Sequence, residues 1–332
     1  MASMKKKWVK QAIGFGFSAA IIIWMVAALD WGEVFKALRS ASLLPFIPAF
    51  FLICGQFVLR AWRWRFLLPE IENRPSLRTL FDAFMGGNFA TYILPGRVGE
   101  FVRPFLLWRH GKYPFATAFV SVVIERFFDL ATVLLSFAIL LNFLPHLDPL
   151  IYSGAKIFGL LAIAICGVML AGIFFPEQLL TVTRRTEVVL PVRAVAALEK
   201  FVNDLLAGLT VLQDKKNLAA VVTSSIAIWV SNYIIYTIFL YTVPITPSFL
   251  MGASVAVIIA LAVALPSSPG FVGVYQAASI LGLKVFGVSP EVGAAFGIIT
   301  HIFQYLIVVG YGFVLLNRYN MNVSDLQAEV RQ

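Results

Sequence analysis

The chain has 332 residues, 60% hydrophobic and 13% charged, with a mean hydropathy of +0.87. Soluble domains carry about 25% charged residues, so a soluble fold is excluded, and apolar runs that are continuous rather than alternating exclude a transmembrane barrel. The formal charge of +9 comes from Lys and Arg flanking those runs, as in loops facing the cytoplasm and anionic lipid, and is not a nucleic-acid signal.

An all-α polytopic membrane protein remains. Lys5, Lys6, Lys7 and Lys10 precede the first predicted span, residues 11–29. Its apolar stretch is long for a signal core, and no small-x-small cleavage site leads into a soluble domain, so an uncleaved span starting in the cytoplasm is expected. Residues 30–42 read as a short amphipathic link outside, and 43–68 as the second span. Arg60, Arg63 and Arg65 mark its cytoplasmic end, and Trp62 and Trp64 suit the interfacial aromatic belt. Two apolar pieces follow, 77–94 and 98–108, split at Pro95-Gly96. The second is about 11 residues, roughly 16 Å of helix, and cannot cross a core of about 30 Å. Arg74 and Arg78 flank one end, Arg109 and Lys112 the other. Residues 77–108 are therefore predicted to enter from the cytoplasm and return, a path tolerated only under protein cover or beside a polar cavity.

Residues 113–144 run outward, the link "PHLDP" lacks Lys and Arg, and 150–175 return. Residues 176–216 are polar, and within them 192–213 carries apolar residues at helical spacing, an amphipathic helix for the cytoplasmic surface. Residues 217–241 go outward, 248–286 form two pieces split at "PSSPG", and 291–317 return to Arg318. The prediction is one membrane domain, 1–317, with a polar tail, 318–332. Both termini come out cytoplasmic whether 248–286 is a re-entrant hairpin or two full spans. Cys54 and Cys166 lie in apolar segments without ligand spacing, so neither a disulfide framework nor a metal site is expected.

"PGRVGE" at 95–100 echoes "PGFVGV" at 269–274. Each copy interrupts a pair of apolar segments, the first on the cytoplasmic side and the second outside. That is the pattern of an inverted repeat, in which broken helices meet near the midplane and form a substrate site. A helix restarting after such a break directs free N–H groups and partial positive charge at its surroundings, where an anion can bind. Arg97 and Arg103 would add fixed charge, with Glu100 holding one Arg or competing with the ligand; Pro269, Gly270 and Gly273 are the counterparts. The alternative is a helix cap with its own ion pair at the cytoplasmic interface.

Ser121, Glu125, Asp129, Thr132 and Ser136 form one polar stripe on 113–144, and Arg126 can pair with Asp129 at i, i+3. A charge at the bilayer centre costs about 2.5–3.5 kcal/mol or more on insertion scales, so these groups should face the bundle interior and one another. The alternative starts the span near Ile124, leaving Glu125 and Arg126 among the headgroups. Secondary candidates are His301 and Gln304 on the last span, Gln276 in the second hairpin, Asn88 and Asn232 for interhelical hydrogen bonds, and Asp82 as partner of a buried Arg.

In order, "RAWRWRFLL", "LPGRVGEFVRPFLL", "ERFFDL" and "LPSSPGFVGVYQAA" resemble the flippase-like integral membrane family related to the transmembrane half of lysylphosphatidylglycerol synthase, over about residues 10–317. The resemblance implies a prokaryotic cytoplasmic membrane and a lipid with a polar, often phosphate-bearing head group, a phospholipid or polyprenyl lipid. It maps functional positions onto Arg97, Glu100, Arg103, Glu125, Arg126 and Asp129, with Pro269, Gly270 and Gly273. The family often has Pro-Gly-Gly and then a Glu in the second motif; Phe271 and Gln276 stand there in this chain, which argues against a proton- or cation-coupled step at that place. The synthase's aminoacyl-transferase domain has no counterpart in these residues, so aminoacylation is not carried over.

Three functions follow. The first is a lipid flippase or transporter, not an enzyme and without cofactor; no P-loop motif occurs, so ATP hydrolysis is not expected. The second is a membrane enzyme on a lipid phosphate or polyprenyl carrier using Glu125 and Asp129, against which stands the lack of a metal-binding motif. The third is a non-transporting partner subunit with 176–216 as its docking surface. Expected partners are membrane lipid and a second copy of the chain or a lipid-biosynthesis enzyme, with no nucleic acid.

Overall fold

The computed structural model describes residues 16–70, 74–95, 98–143, 149–185, 192–264 and 267–325. Lys5, Lys6, Lys7, Lys10 and Arg97 lie outside the described residues, as do the tail from 326 onward and most of the "PHLDP" link. Thirteen α-helices and no strand occur among the described residues.

Caps and breaks cut the apolar runs. The first helix, α1 (Gly16–Ala28), turns through 92° into α2 (Trp31–Arg39). Asp30 makes that corner by accepting from Gly32 N at 2.8 Å and Glu33 N at 3.3 Å, an N-cap. Helix α3 (Phe46–Arg65) follows, then α4 (Leu77–Ile93), capped by Ser76, whose Oγ accepts from Thr79 N at 3.1 Å. Helix α4 stops because Pro95 forces Leu94 into extended backbone, φ −97° and ψ 143°. The chain restarts as α5 (Gly99–Gly111), which carries Pro104 and turns off at Lys112 in the left-handed region, φ 51°. Next come α6 (Phe115–Leu140), α7 (Pro149–Phe174), α8 (Pro176–Arg185) and α9 (Val192–Leu209). Asp214 caps α10 (Lys215–Leu240). The second broken pair is α11 (Phe249–Ala264) and α12 (Val274–Lys284), joined by a tight turn at Pro269–Phe271. Helix α13 (Pro290–Arg318) closes the bundle.

Packing repeats itself. Helix α3 lies on α4, α4 on α5 and α5 on α6; likewise α10 lies on α11, α11 on α12 and α12 on α13. Across the halves, α4 packs on α13, α11 packs on α6, and α3 packs on α10. Exchanging α3–α6 for α10–α13 maps each of these pairs onto another or onto itself.

The outside of this bundle is apolar: Ile23, Phe51, Leu160, Leu306 and Phe313 are all exposed. Helices α3, α10 and α13 are long and apolar enough to cross a membrane. Of residues 113–144, expected as a span, 115–140 form the 26-residue α6, about 39 Å. Glu125, Arg126 and Asp129 keep it out of that apolar set. They need polar partners, and Arg60 and Arg63 of α3 with Glu100 and Arg103 of α5 supply them.

Candidate functional site

Two glycines let hairpin 1 close. A Cβ on Gly99 would land on the Gly87 carbonyl and Thr91 Oγ1, so the start of α5 lies directly against α4. One turn further, Arg103 is carried inward, 3% exposed. Pro104 has no N–H for the Glu100 carbonyl, which leaves that carbonyl without its usual partner in the helix.

Arg103 Nη2 donates to Glu125 Oε2 at 2.6 Å. Glu125 Oε1 lies 3.0 Å from Arg63 Nη2 and 3.0 Å from Arg126 Nη2. Arg63 Nη1 donates to Asp129 Oδ1 at 2.8 Å and to Ser225 Oγ of α10 at 3.0 Å. Asp129 Oδ2 also meets Arg60 Nη1 and Arg126 Nη2, each at 3.4 Å. Arg126 Nη1 stands 3.8 Å from Glu100 Oε1, the longest pair of the set. The Arg103 guanidinium stacks 3.9 Å over the Trp64 ring, a cation–π contact in a dry setting. Trp64 Nε1 donates to Ser121 Oγ at 2.8 Å.

Four arginines thus meet three carboxylates, one positive charge in excess among the described members. Burial separates their tasks. The Arg63 and Glu125 side chains have no exposed surface, whereas those of Arg126 and Glu100 are 45% and 35% exposed. The buried members hold one another; Arg126 is the most exposed cation among the described members. Beside it, Asn88, Thr91, Glu100, Arg103 and Arg126 line a cavity of about 20 Å³. That admits a water and not a phosphate, so an anion enters this cavity only if Glu100 gives way or the hairpin moves.

The 269–273 turn meets hairpin 1 at its tip. Pro269 opens the turn, Gly270 and Gly273 have φ of 65° and 86°, and Phe271 has φ of 61°. The Phe271 ring sits edge-on to Tyr92, 5.7 Å between centroids. Tyr92 follows Thr91 of the cavity and also approaches Tyr305 at 5.5 Å and His301 at 6.4 Å. A second, uncharged cluster lies here: Tyr236 and Tyr275 hydroxyls at 3.0 Å, Gln304 Nε2 donating to Tyr275 Oη at 2.7 Å, and Gln276 Nε2 at 3.1 Å from His301 Nδ1. It draws on α10, α12 and α13, the second-half counterparts of α3, α5 and α6, which build the charged cluster.

Of the sequence candidates, Glu100, Arg103, Glu125, Arg126 and Asp129 come together, with Asn88 at the cavity. Asp82 does not join them. It accepts from Tyr311 Oη at 2.6 Å, Tyr319 Oη at 2.8 Å and Arg318 Nη1 at 2.9 Å, tying α4 to the end of α13. Asn232 is half-buried on α10, next to Ser231, which receives Gln56 Nε2 at 3.1 Å. Arg63 and Trp64, expected at the cytoplasmic end of the second span, are fully buried within the protein, because α6 and α10 bring acceptors for them. Gln56, Arg60 and Arg63 recur at four and three residues, a polar stripe on α3 like that on α6, and this was the signal for them. Among the described residues no three His, Cys, Asp or Glu side chains group as a cation site, and Glu125 and Asp129 are occupied by arginine.

The sequence matches the family described as the lysylphosphatidylglycerol synthase TM region over residues 11–312. A UPF0104 membrane protein of Methanocaldococcus jannaschii is 23% identical over 332 residues, 94% of this chain and 96% of that one. A UPF0104 membrane protein of Methanothermobacter thermautotrophicus is 23% identical over 324 residues, 91% of this chain and 93% of that one. Glycosyltransferase AglD of Haloferax volcanii is 25% identical over 346 residues, 92% of this chain and 54% of AglD, so the chain spans about half the length of that relative. No solved structure matches.

Proposed function

The chain belongs to the family of the lysylphosphatidylglycerol synthase transmembrane region, and we propose that it binds the anionic head group of a membrane lipid and carries it across the bilayer. The observation behind this is the half-exposed Arg126 beside a buried ion network with one positive charge in excess. Arg126 takes the phosphate as a charge-assisted donor, and Arg97, beyond the described residues, adds to it. Glu100 is the group the phosphate displaces. Arg60, Arg63 and Arg103 fix Glu125 and Asp129, which in turn aim Arg126.

The two broken pairs form an inverted repeat with both termini cytoplasmic. The exchange of packing pairs between α3–α6 and α10–α13 supports that reading, as does the contact of the two hairpin tips at Tyr92 and Phe271. Pro269, Gly270 and Gly273 act by shaping that contact. The head group travels between the hairpins while its tails remain in lipid, in the cytoplasmic membrane of a prokaryote. The chain does this without an enzymatic step of its own, alone, as a homo-oligomer or beside a lipid-biosynthesis enzyme.

Reconstitution into liposomes with fluorescent phosphatidylglycerol tests it. Exchange between leaflets above protein-free vesicles, lost in Arg126→Ala, is expected; no exchange contradicts it. The match to AglD favours a second reading, handling of a lipid-linked sugar by a membrane enzyme. Product formation without leaflet exchange would support that reading instead.

A further inference from the structure

At the start of α12 the backbone takes Gly273 to φ 86°, a conformation that suits glycine. The Gly273 N–H donates to Gln276 Oε1 at 2.9 Å. That bond assigns the amide: with Oε1 accepting, Nε2 is the atom 3.1 Å from His301 Nδ1. An amide nitrogen can only donate, so Nδ1 accepts, and the proton of the neutral imidazole sits on Nε2.

The ring is enclosed, 4% exposed. It lies parallel to Tyr275 of α12 at 4.5 Å. The other ionisable groups facing it are Tyr92 of α4 at 6.4 Å and Tyr305 of α13 itself at 6.5 Å, with Tyr236 of α10 behind Tyr275. Among the described residues no carboxylate pairs with it. Nε2 has no hydrogen-bond partner; the Gly270 backbone is near without hydrogen-bonding geometry.

We propose that Gln276 is a positioning residue that holds His301 as the neutral Nε2–H tautomer under the 269–271 turn and so keeps the movement of hairpin 2 independent of protons. A proton added to Nδ1 would set it against the Gln276 amide, donor facing donor. The amide would have to turn away, and the Gly273 N–H would lose its acceptor, a buried donor left unmade. The cap of α12 and the charge of His301 are thereby one variable. The tautomer stands on this geometry; the consequence for transport rests on the function proposed above.

Nitrogen-15 NMR of the full chain, labelled at histidine and held in lipid nanodiscs, reads the ring directly, with His301→Gln separating its signals from those of His110 and His146. Between pH 5 and pH 8 the expected spectrum shows Nε2 protonated and Nδ1 bare throughout. A proton on Nδ1, or titration to imidazolium in that interval, overturns the proposal. Gln276→Glu replaces the donor with an acceptor, so Nδ1 should take a proton and the ring should titrate within the same range. Gln276→Met, which removes the donor without adding charge, should release the ring to titrate as well. If both variants keep the wild-type spectrum, Gln276 does not set the tautomer and the proposal fails. In proteoliposomes an imposed pH gradient should leave wild-type exchange within a factor of two and alter that of Gln276→Glu; gradient-dependent wild-type exchange overturns the uncoupling. A wild type that exchanges no lipid counts against the transport function, while the imidazole spectrum still decides the tautomer.

Discussion

Glu125 has no exposed surface and three arginine neighbours at 2.6 to 3.0 Å. A carboxylate so enclosed is kept by its partners, and removing it leaves buried guanidinium groups uncompensated, a loss of about 3–5 kcal/mol. Glu125→Gln should therefore lower stability strongly in detergent unfolding. Adding Arg103→Gln should recover part of the loss, because the two single changes remove the same contact. Strictly additive losses would show that the pair does not act as a unit. Arg126 and Glu100 behave differently because both reach the surface. Arg126→Ala should weaken binding of phosphatidylglycerol in nanodiscs with little effect on stability, and Glu100→Gln should tighten it by freeing Arg126; weaker binding in Glu100→Gln would contradict the competition between Glu100 and the ligand. The Arg126–Asp129 pair is legible from i, i+3 spacing alone. Arg63 was not: an arginine at the end of an apolar run reads the same whether it faces lipid headgroups or a partner 62 to 66 residues away on α6. Nor does sequence reveal that Asp82 is served by Arg318 from the other end of the chain.

Among the elements, the two hairpins depend on backbone that few residues tolerate. Gly99→Ala would drive a methyl into the Gly87 carbonyl and separate α4 from α5, an overpacking loss of about 1–3 kcal/mol. Phe271 has a φ of 61°, costly for a residue with a Cβ, and its ring contact with Tyr92 offsets that. Phe271→Ala keeps the strain without the ring, whereas Phe271→Gly removes both, so the glycine variant should unfold at the higher temperature by about 1 kcal/mol of stability. The reverse order would mean that the turn is not held in this conformation. The breaks themselves are readable, since Pro95 compels Leu94 to be extended. Which surfaces the broken helices meet is not readable, because Gly87 and Thr91 carry no mark of facing Gly99.

For the whole molecule, all-helical membrane character follows from composition, while the reciprocal packing of the halves emerges only in three dimensions. Hairpin 1 rests on the last helix of the second half and hairpin 2 on that of the first, and their tips meet where Phe271 packs on Tyr92; carriage of a head group between the hairpins requires that contact to open. Linking the tips should arrest them. In a background with Cys54 and Cys166 replaced, Tyr92→Cys with Phe271→Cys joined by a short bifunctional reagent should retain anionic-lipid binding and lose leaflet exchange; unaltered exchange would show that the tips need not part.

Leaflet exchange of fluorescent phosphatidylglycerol in liposomes, comparing wild type with Arg126→Ala, tests the transport of an anionic head group most directly. Exchange well above protein-free vesicles in wild type, falling to that background in the folded variant, is the outcome expected. Equal exchange by both proteins, or none by the wild type, would contradict it.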